Sequence, residues 1–172
     1  MHKKIRVLFL VSLTFTTTAA PAAVRWHMAT YAGNTPLLRE LIKTDKAAIN
    51  AQDKDGTTPL HKASWQIQNK RLGTNYIGAN NYIECMMLLL DNGANVNAAD
   101  KAGWTALHYA AKFGHLDGIV VLLKYHANID AKTNQQETPI LLAITHGHKE
   151  CIELLLERGA RTSASTIIPP AA

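Results

Sequence analysis

Two phrases recur along this chain of 172 residues, and their spacing constrains its fold more than any other feature. One phrase is an apolar run that closes on Gly-Ala or His-Ala, and it starts at Cys85, Gly118 and Cys151, a step of 33 residues both times. The other phrase reads DKDGTTPLHKA, DKAGWTALHYA and TNQQETPILLA, and its copies start at Asp53, Asp100 and Thr133. Because a fixed period of about 20–50 residues is typical of repeat proteins, the chain is predicted to be an array of stacked units.

The repeated positions predict two short helices in each unit. Thr58 and Pro59 pair a helix N-cap residue with the one helical position at which proline is favourable. Further along, Ile119, Leu122 and Leu123 follow the spacing of one helical face, so they are expected to face neighbouring units. A single unit cannot bury both of its faces, and stacking therefore supplies the core.

The turns between helices are marked by residues that tolerate unusual backbone angles. Gly56, Gly103 and Gly93 stand at turn positions that need the conformational freedom of glycine. Gln136 and His126 stand where the same pattern expects glycine. The later copies are therefore eroded at these two turns.

The 33-residue period and the TPLH-x-A phrase, present from Thr58 and, as TALHYA, from Thr105, resemble the ankyrin-repeat family. The resemblance implies an all-α fold, an ankyrin-repeat solenoid of stacked helix-turn-helix units with projecting β-turns. A weaker copy that starts near His27 aligns with the one near His108. We expect a degenerate N-terminal repeat, two central repeats, a C-terminal capping repeat and a flexible tail: 24–52, 53–99, 100–132, 133–163 and 164–172.

Repeat two is longer than the others. Gly56 and Gly103 are 47 residues apart, which is 14 more than the period, and the surplus falls at about residues 67–80. Register places this insertion between the two helices of the repeat, at the edge opposite the projecting turns. Long loops are often functional, but a tolerated surface insertion stays open because extra loop length costs little free energy. The expected contact residues of a functional insertion are Lys70, Arg71 and Tyr76.

The N-terminus has the pattern of a secretory signal peptide. A basic start with Lys3 and Arg6 precedes a mostly apolar run at residues 7–15 and a stretch of small residues. We predict a signal peptide over residues 1–22, cleaved after Ala22. The apolar run is shorter than the ~20 residues that span a membrane, so we expect no stable membrane insertion after cleavage. An uncleaved N-terminal anchor is the alternative.

The charge of the chain argues against a nucleic-acid partner. The formal net charge is +5, but three basic residues and no acidic ones lie within residues 1–22. The remainder carries 15 Lys and Arg against 13 Asp and Glu, a net charge of +2. Most of the basicity thus belongs to the predicted signal, and the mature chain lacks the positive excess typical of nucleic-acid binding.

The two cysteines predict no intrachain disulfide. Cys85 and Cys151 occupy the same position two repeats apart, with one repeat between them. Stacked helices lie 8–10 Å apart, so the sulfurs are expected to be roughly 20 Å from each other. A disulfide requires α-carbons within about 7 Å, and we therefore predict two free thiols.

The histidines are expected to be structural. His61 and His108 stand in the histidine position of the TPLH phrase. The resemblance to ankyrin repeats implies that this position forms structural hydrogen bonds. The pair of His146 and His148 supplies only two ligands, whereas a zinc site needs three or four. We therefore predict no bound metal and no cofactor.

The sequence predicts a binding protein and no enzyme. The GxSxG, HExxH, GxxxxGK[ST] and CxxC motifs are absent. In ankyrin-repeat proteins, partners meet the projecting turns and the inner face of the first helices, and we expect Trp104 to be the main anchor. Trp65 has a second interpretation, in which it packs against the insertion. The predicted partner-binding residues are Lys54, Asp55, Thr57, Trp65, Lys101, Trp104, Lys112, Phe113 and Glu137.

Export and an ankyrin array together favour a bacterial source, because these repeats serve mostly inside the cell in eukaryotes. We expect a monomeric periplasmic adaptor that binds another envelope protein. Two alternatives stay open. One is a secreted effector that binds a host protein, and the other is a module that binds a metal or a small ligand through the histidines and the insertion.

Overall fold

A computed structural model describes residues 21–66 and 79–162. This part of the chain contains eight α-helices, one short 3-10 helix and no β-strand, which confirms the predicted all-α solenoid. The 3-10 helix, Lys46–Asn50, follows the first helix pair. The helix pairs are α1 (Ala22–Tyr31) with α2 (Thr35–Thr44), α3 (Pro59–Gln66) with α4 (Ala79–Asp91), α5 (Ala106–Phe113) with α6 (Leu116–Lys124), and α7 (Pro139–Thr145) with α8 (Lys149–Glu157).

The helices form two layers. The first helices of the four pairs, α1, α3, α5 and α7, pack against one another in that order, and the second helices, α2, α4, α6 and α8, do the same. Each first helix also packs against the second helix of its own pair. The first helices therefore make an inner layer beside the projecting turns, and the second helices make an outer layer.

The core lies between these layers. Leu107 of the inner layer and Leu89, Ile119 and Leu122 of the outer layer are fully buried. Apolar burial is the main favourable term in folding, and here it comes from contacts between repeats as much as from contacts within them. Trp26 of α1 is also fully buried, so the degenerate first repeat joins the same core.

Local sequence fixes where the helices begin and end. Thr105 and His108 form a capping box at the start of α5, and Thr138 accepts a hydrogen bond from the backbone of Leu141 at the start of α7. Helix α5 ends at Gly114, whose φ of 72° lies in the left-handed region that glycine adopts at low cost.

Helix α4 starts one turn earlier than the other helices of the outer layer. By register, its start corresponds to Ile83, yet it begins at Ala79. In the added turn, the hydroxyl of Tyr82 donates a hydrogen bond to the carbonyl of Tyr31, 3.1 Å away in α1. Most of the predicted insertion, including Lys70, Arg71 and Tyr76, lies outside the described residues, as do residues 1–20 of the predicted signal and the whole predicted tail, 164–172.

Both cysteines are free and buried in the outer layer. Cys85 belongs to α4 and Cys151 to α8, and α6 packs between these helices. Burial raises the pKa of the Cys85 thiol to about 12 and that of Cys151 to about 11. Both side chains therefore behave as small apolar groups.

Candidate functional site

Three projecting turns carry six of the nine predicted binding residues, and a polar residue at the start of each turn organises it. The carboxylate of Asp53 accepts hydrogen bonds from the backbone N–H groups of Asp55 and Thr57, at 2.9 and 3.0 Å. Asp100 does the same in the second turn, and the hydroxyl of Thr133 replaces the carboxylate in the third. The turns are thus rigid local structures.

Neighbouring turns are hydrogen-bonded to one another. The N–H of Lys101 donates to the carbonyl of Asp55 at 3.1 Å, and that of Asn134 donates to Ala102 at 3.0 Å. This close approach requires glycine at Gly103, where φ is 79° and a Cβ atom would lie 2.8 Å from the backbone nitrogen of Asn134. The turn tips are therefore held in a row along one edge of the array.

The two turn positions without glycine still adopt a left-handed backbone. Gln136 has φ of 63° and His126 has φ of 62°, close to the 79° of Gly56 and Gly103. In the described part of the chain, no further projecting turn follows that of the fourth repeat, and Gln136 is exposed there. The eroded copies have therefore kept the shape of the turn.

A row of buried histidines ties each repeat to the next turn. His61 and His108 occupy equivalent positions, and each ring reaches a carbonyl at the same position of the following turn. His27 does so from the first repeat. The contacts of the Nε2 atoms are His27 with Thr57 O at 2.7 Å, His61 with Trp104 O at 2.9 Å, and His108 with Glu137 O at 3.1 Å.

His61 and His108 are held in the neutral form. Burial lowers the pKa of both rings, although the carbonyl contacts partly oppose this shift. At Nδ1, each ring accepts a hydrogen bond from a backbone N–H group, from Thr58 at 3.0 Å and from Thr105 at 3.1 Å. The proton therefore lies on Nε2, which donates to the next turn.

Side chains of repeats two and three form a continuous surface that we name the aromatic face. Tyr109 lies at its centre, with its ring centroid 5.2 Å from that of Trp104 and 6.3 Å from that of Trp65. The Trp65 side chain is 47% exposed, whereas Trp104 is half-buried. The members of the aromatic face are Trp65, Trp104, Tyr109, Lys112 and Phe113.

Hydrogen bonding fixes Tyr109 in place. Its hydroxyl donates to the carboxylate of Asp100 at 2.7 Å. Burial, followed by this bond to a carboxylate, raises the pKa of Tyr109 above its usual range. Because Asp100 also organises the turn that carries Trp104, one carboxylate couples the turn to the helix beneath it.

Two lysines lie over aromatic rings at this site. The ammonium of Lys62 is 5.6 Å from the ring centroid of Trp65 and pairs with the carboxylate of Asp53 at 2.9 Å. Although burial opposes it, hydrogen bonds from Thr57 and Lys62 hold the pKa of Asp53 well below its usual range. The ammonium of Lys112 is 4.8 Å from the centroid of Trp104 and 5.8 Å from that of Phe113.

The structure brings together four of the nine predicted binding residues. Trp65, Trp104, Lys112 and Phe113 belong to the aromatic face, whereas Lys54, Asp55 and Lys101 are exposed at the turn tips. Thr57 is only 7% exposed, and its hydroxyl donates to Asp53, so its side chain supports the turn instead of pointing outward. Glu137 is half-buried, within 3.4 Å of the hydroxyl of Thr133.

The sequence prediction missed Tyr109. In repeat two, the equivalent position is Lys62, so the repeat pattern did not mark it as aromatic. Its spacing of three and four residues from Lys112 and Phe113 could have placed it on the same helical face.

Within residues 21–66 and 79–162, no three His, Cys, Asp or Glu side chains are grouped to hold a metal ion. The rings of His146 and His148 stack with centroids 6.3 Å apart, and Nε2 of His148 lies 2.8 Å from the carbonyl of Lys112. No helix there combines the length and apolar character needed to cross a membrane.

Comparison with known families agrees with the repeats and with the layered fold. Residues 75–166 match the family described as ankyrin repeats (3 copies), and residues 26–68 match the one described as ankyrin repeats (many copies). The chain belongs to the ankyrin-repeat family, whose repeats are modules for protein–protein interaction.

Two relatives share the repeats. An ankyrin repeat protein of Fowlpox virus (strain NVSL) is 42% identical over 72 residues, which cover 41% of this chain and 50% of the relative. A homologue of transient receptor potential cation channel subfamily A member 1 from Caenorhabditis elegans is 36% identical over 87 residues, which cover 51% of this chain and 6% of the relative. The chain thus spans half or less of the length of these relatives.

Proposed function

We propose that this protein is an exported bacterial module, located in the periplasm, that binds another envelope protein through the aromatic face. It acts as a monomer and has no catalytic role of its own. The observation that carries the proposal is the exposure of large aromatic side chains on the inner layer. Trp65 is 47% exposed at the centre of the array, between turns that are already rigid.

Energetics support this choice of surface. Tryptophan and tyrosine are enriched at the energetic centres of protein interfaces, and each buries a large area with few rotatable bonds. The side chains of Trp104 and Tyr109 are already packed against each other. These side chains would therefore lose little conformational freedom when a partner covers them. The exposed tips at Lys54 and Lys101 extend the same surface.

The proposed location rests on the N-terminal residues. The basic start, apolar run and small residues of positions 1–22 have the order of a secretory signal. Fractionation of expressing cells tests it, together with N-terminal sequencing of the recovered protein. Recovery from the periplasm with residue 23 at the N-terminus is expected, whereas full-length protein in the cytoplasm would contradict export.

Two variants and one control test the binding face. Affinity capture from envelope extracts is performed with the mature protein and with Trp65→Ala, Trp104→Ala and Met87→Ala. Met87 is a matched control because it is 38% exposed and lies on α4, in the outer layer. Each tryptophan variant should weaken binding of the captured partner by about 2 kcal/mol or more, and Met87→Ala should leave it unchanged.

Trp65→Ala is the cleaner of the two variants. Trp104 contacts Tyr109 and Lys112, so its removal should also lower thermal stability, whereas Trp65 is the more exposed ring. Thermal unfolding of each variant separates the two effects. A partner that tolerates both tryptophan variants but is lost with Met87→Ala would move the binding site to the outer layer.

A further inference from the structure

Lys62 and Lys112 both lie on first helices of the inner layer, at different positions of the repeat, and only one of them is paired with a carboxylate in the described residues. Each ammonium lies over an aromatic ring, at 5.6 Å from the centroid of Trp65 and 4.8 Å from that of Trp104, respectively. Lys62 also pairs with Asp53 at 2.9 Å. Lys112 takes part in none of the ion pairs within residues 21–66 and 79–162.

The carboxylates of Asp53 and Asp100, which organise the two turns nearest these lysines, already accept hydrogen bonds from other donors. Asp53 accepts from Lys62 and from the hydroxyl of Thr57. Asp100 accepts from the hydroxyl of Tyr109 and from the backbone of Trp104. Within residues 21–66 and 79–162, the half-buried Lys112 thus has its ammonium over aromatic rings and forms no ion pair.

We propose that Lys112 selects the partner by pairing with an aspartate or glutamate side chain that lies next to an apolar residue in the bound segment. This inference rests on the proposed function, because it assigns a chemistry to the same face. The apolar residue packs on the rings of Trp104 and Phe113, and the carboxylate meets the ammonium beside them.

Two physical effects make this position favourable for a carboxylate. The rings restrict the rotamers of Lys112 before binding, so less side-chain entropy is lost than in an ordinary surface ion pair. An apolar residue on Trp104 would also exclude water from the pair and so strengthen its electrostatic attraction. At Lys62, Asp53 already supplies the negative charge.

The probe is a library of random linear peptides displayed on phage. The library is selected on the mature protein after depletion on a Trp65→Ala/Trp104→Ala double variant, which removes peptides that bind elsewhere. We expect the enriched peptides to share an acidic residue beside an aromatic or aliphatic one. Peptides that depend on the tryptophans but lack a common acidic residue would overturn the inference and leave the proposed function intact.

Affinity measurements then isolate the charge. The best peptide and its amide counterpart, with Asp or Glu replaced by Asn or Gln, are titrated against the wild type and against Lys112→Met, Lys112→Arg and Lys62→Met. Lys112→Met keeps an unbranched apolar side chain and removes the ammonium group with its charge and its N–H donors. Lys112→Met should weaken binding of the acidic peptide about tenfold and leave the affinity for the amide peptide nearly unchanged. Lys112→Arg should retain binding, and Lys62→Met should change it less than about threefold.

The outcomes separate the two proposals. If the acidic and amide peptides lose affinity equally on Lys112→Met, the inference fails, because the residue then contributes only packing. If no enriched peptide distinguishes the wild type from the double tryptophan variant, or if nothing is enriched, both proposals fail. Circular dichroism and thermal unfolding of each variant establish that a loss of binding does not reflect a loss of fold.

Discussion

Repeats three and four carry the same pattern, but among the described residues repeat three packs against a repeat on each side, whereas repeat four packs against one repeat only. In repeat three, a Cβ atom on Gly103 would lie 2.8 Å from Asn134 N, and one on Gly114 would lie 2.5 Å from the ring of His148. In repeat four, Gln136 takes the turn position of Gly103, and Gly147 has no atom within 4 Å of such a Cβ.

The buried histidine follows the same rule. His108 reaches the carbonyl of Glu137 in the next turn, whereas Leu141 occupies its position in repeat four, where no described turn follows. The comparison shows that several residues of the repeated pattern serve the contact with the next repeat. Other residues replace them where the described part of the chain has no such contact.

Alanine at the two glycines should give the largest difference between the repeats. We expect Gly103→Ala to lower the free energy of unfolding by about 3 kcal/mol, because it combines left-handed strain with a clash against Asn134. Gly147→Ala has similar φ but open space, and should cost about 1 kcal/mol. Urea unfolding monitored by circular dichroism measures both, and equal losses would show that neighbour contact does not explain the difference.

Removal of the buried histidine should have the next largest effect. His108→Leu, which copies the residue of repeat four, should cost about 2 kcal/mol at neutral pH, because the N–H of Thr105 and the carbonyl of Glu137 lose their partner. The reverse change, Leu141→His, should not stabilise the protein. A gain from Leu141→His would mean that the histidine acts within its own repeat.

The pH dependence of the His108→Leu variant provides an independent check. Burial lowers the pKa of folded His108 below 6.5, so the unfolded chain binds more protons as the pH falls below that value. The wild type should lose stability on acidification from about pH 6.5, at up to about 1.4 kcal/mol per pH unit for each such histidine. The variant should lose less, and an unchanged slope would argue that His108 is not held neutral.

Glycine in place of Gln136 should give the smallest change in the free energy of unfolding, and that change should be a gain. Gln136→Gly should raise the free energy of unfolding by about 0.5–1 kcal/mol, because it relieves left-handed strain that exceeds the entropic cost of glycine. The neighbouring Gln135 does not have a positive φ, so Gln135→Gly should be destabilising. If both changes destabilise to the same extent, the strain at Gln136 is compensated by its side chain.

Most of the fold could be predicted from the sequence because the repeat period reports contacts that recur. The turn positions of Gln136 and His126 were recognised by register alone, and both have the left-handed backbone that the pattern requires. The hydrogen bonds of His61 and His108 were expected from the resemblance of the TPLH phrase to ankyrin repeats. A residue that makes the same contact at each repeat interface recurs in several repeats, so a single sequence is enough to recognise it.

The candidate site was less predictable because its residues differ from repeat to repeat. Tyr109 replaces the lysine of repeat two, so nothing in the pattern indicated that it joins Trp65 to Trp104. Thr57 was placed at the surface by its turn position, but its hydroxyl bonds inward to Asp53. Such contacts depend on which side chains happen to meet in three dimensions, and register alone does not determine that.

The buried thiols have a consequence for how opening of the array can be followed. A cysteine reacts as its thiolate, and burial raises the pKa of Cys85 to about 12 and that of Cys151 to about 11, so neither reacts at an appreciable rate until it is exposed. Terminal repeats open more readily than internal ones. The order in which Cys85 and Cys151 are alkylated therefore records the order in which the repeats separate. The experiment needs no cysteine introduced by mutation.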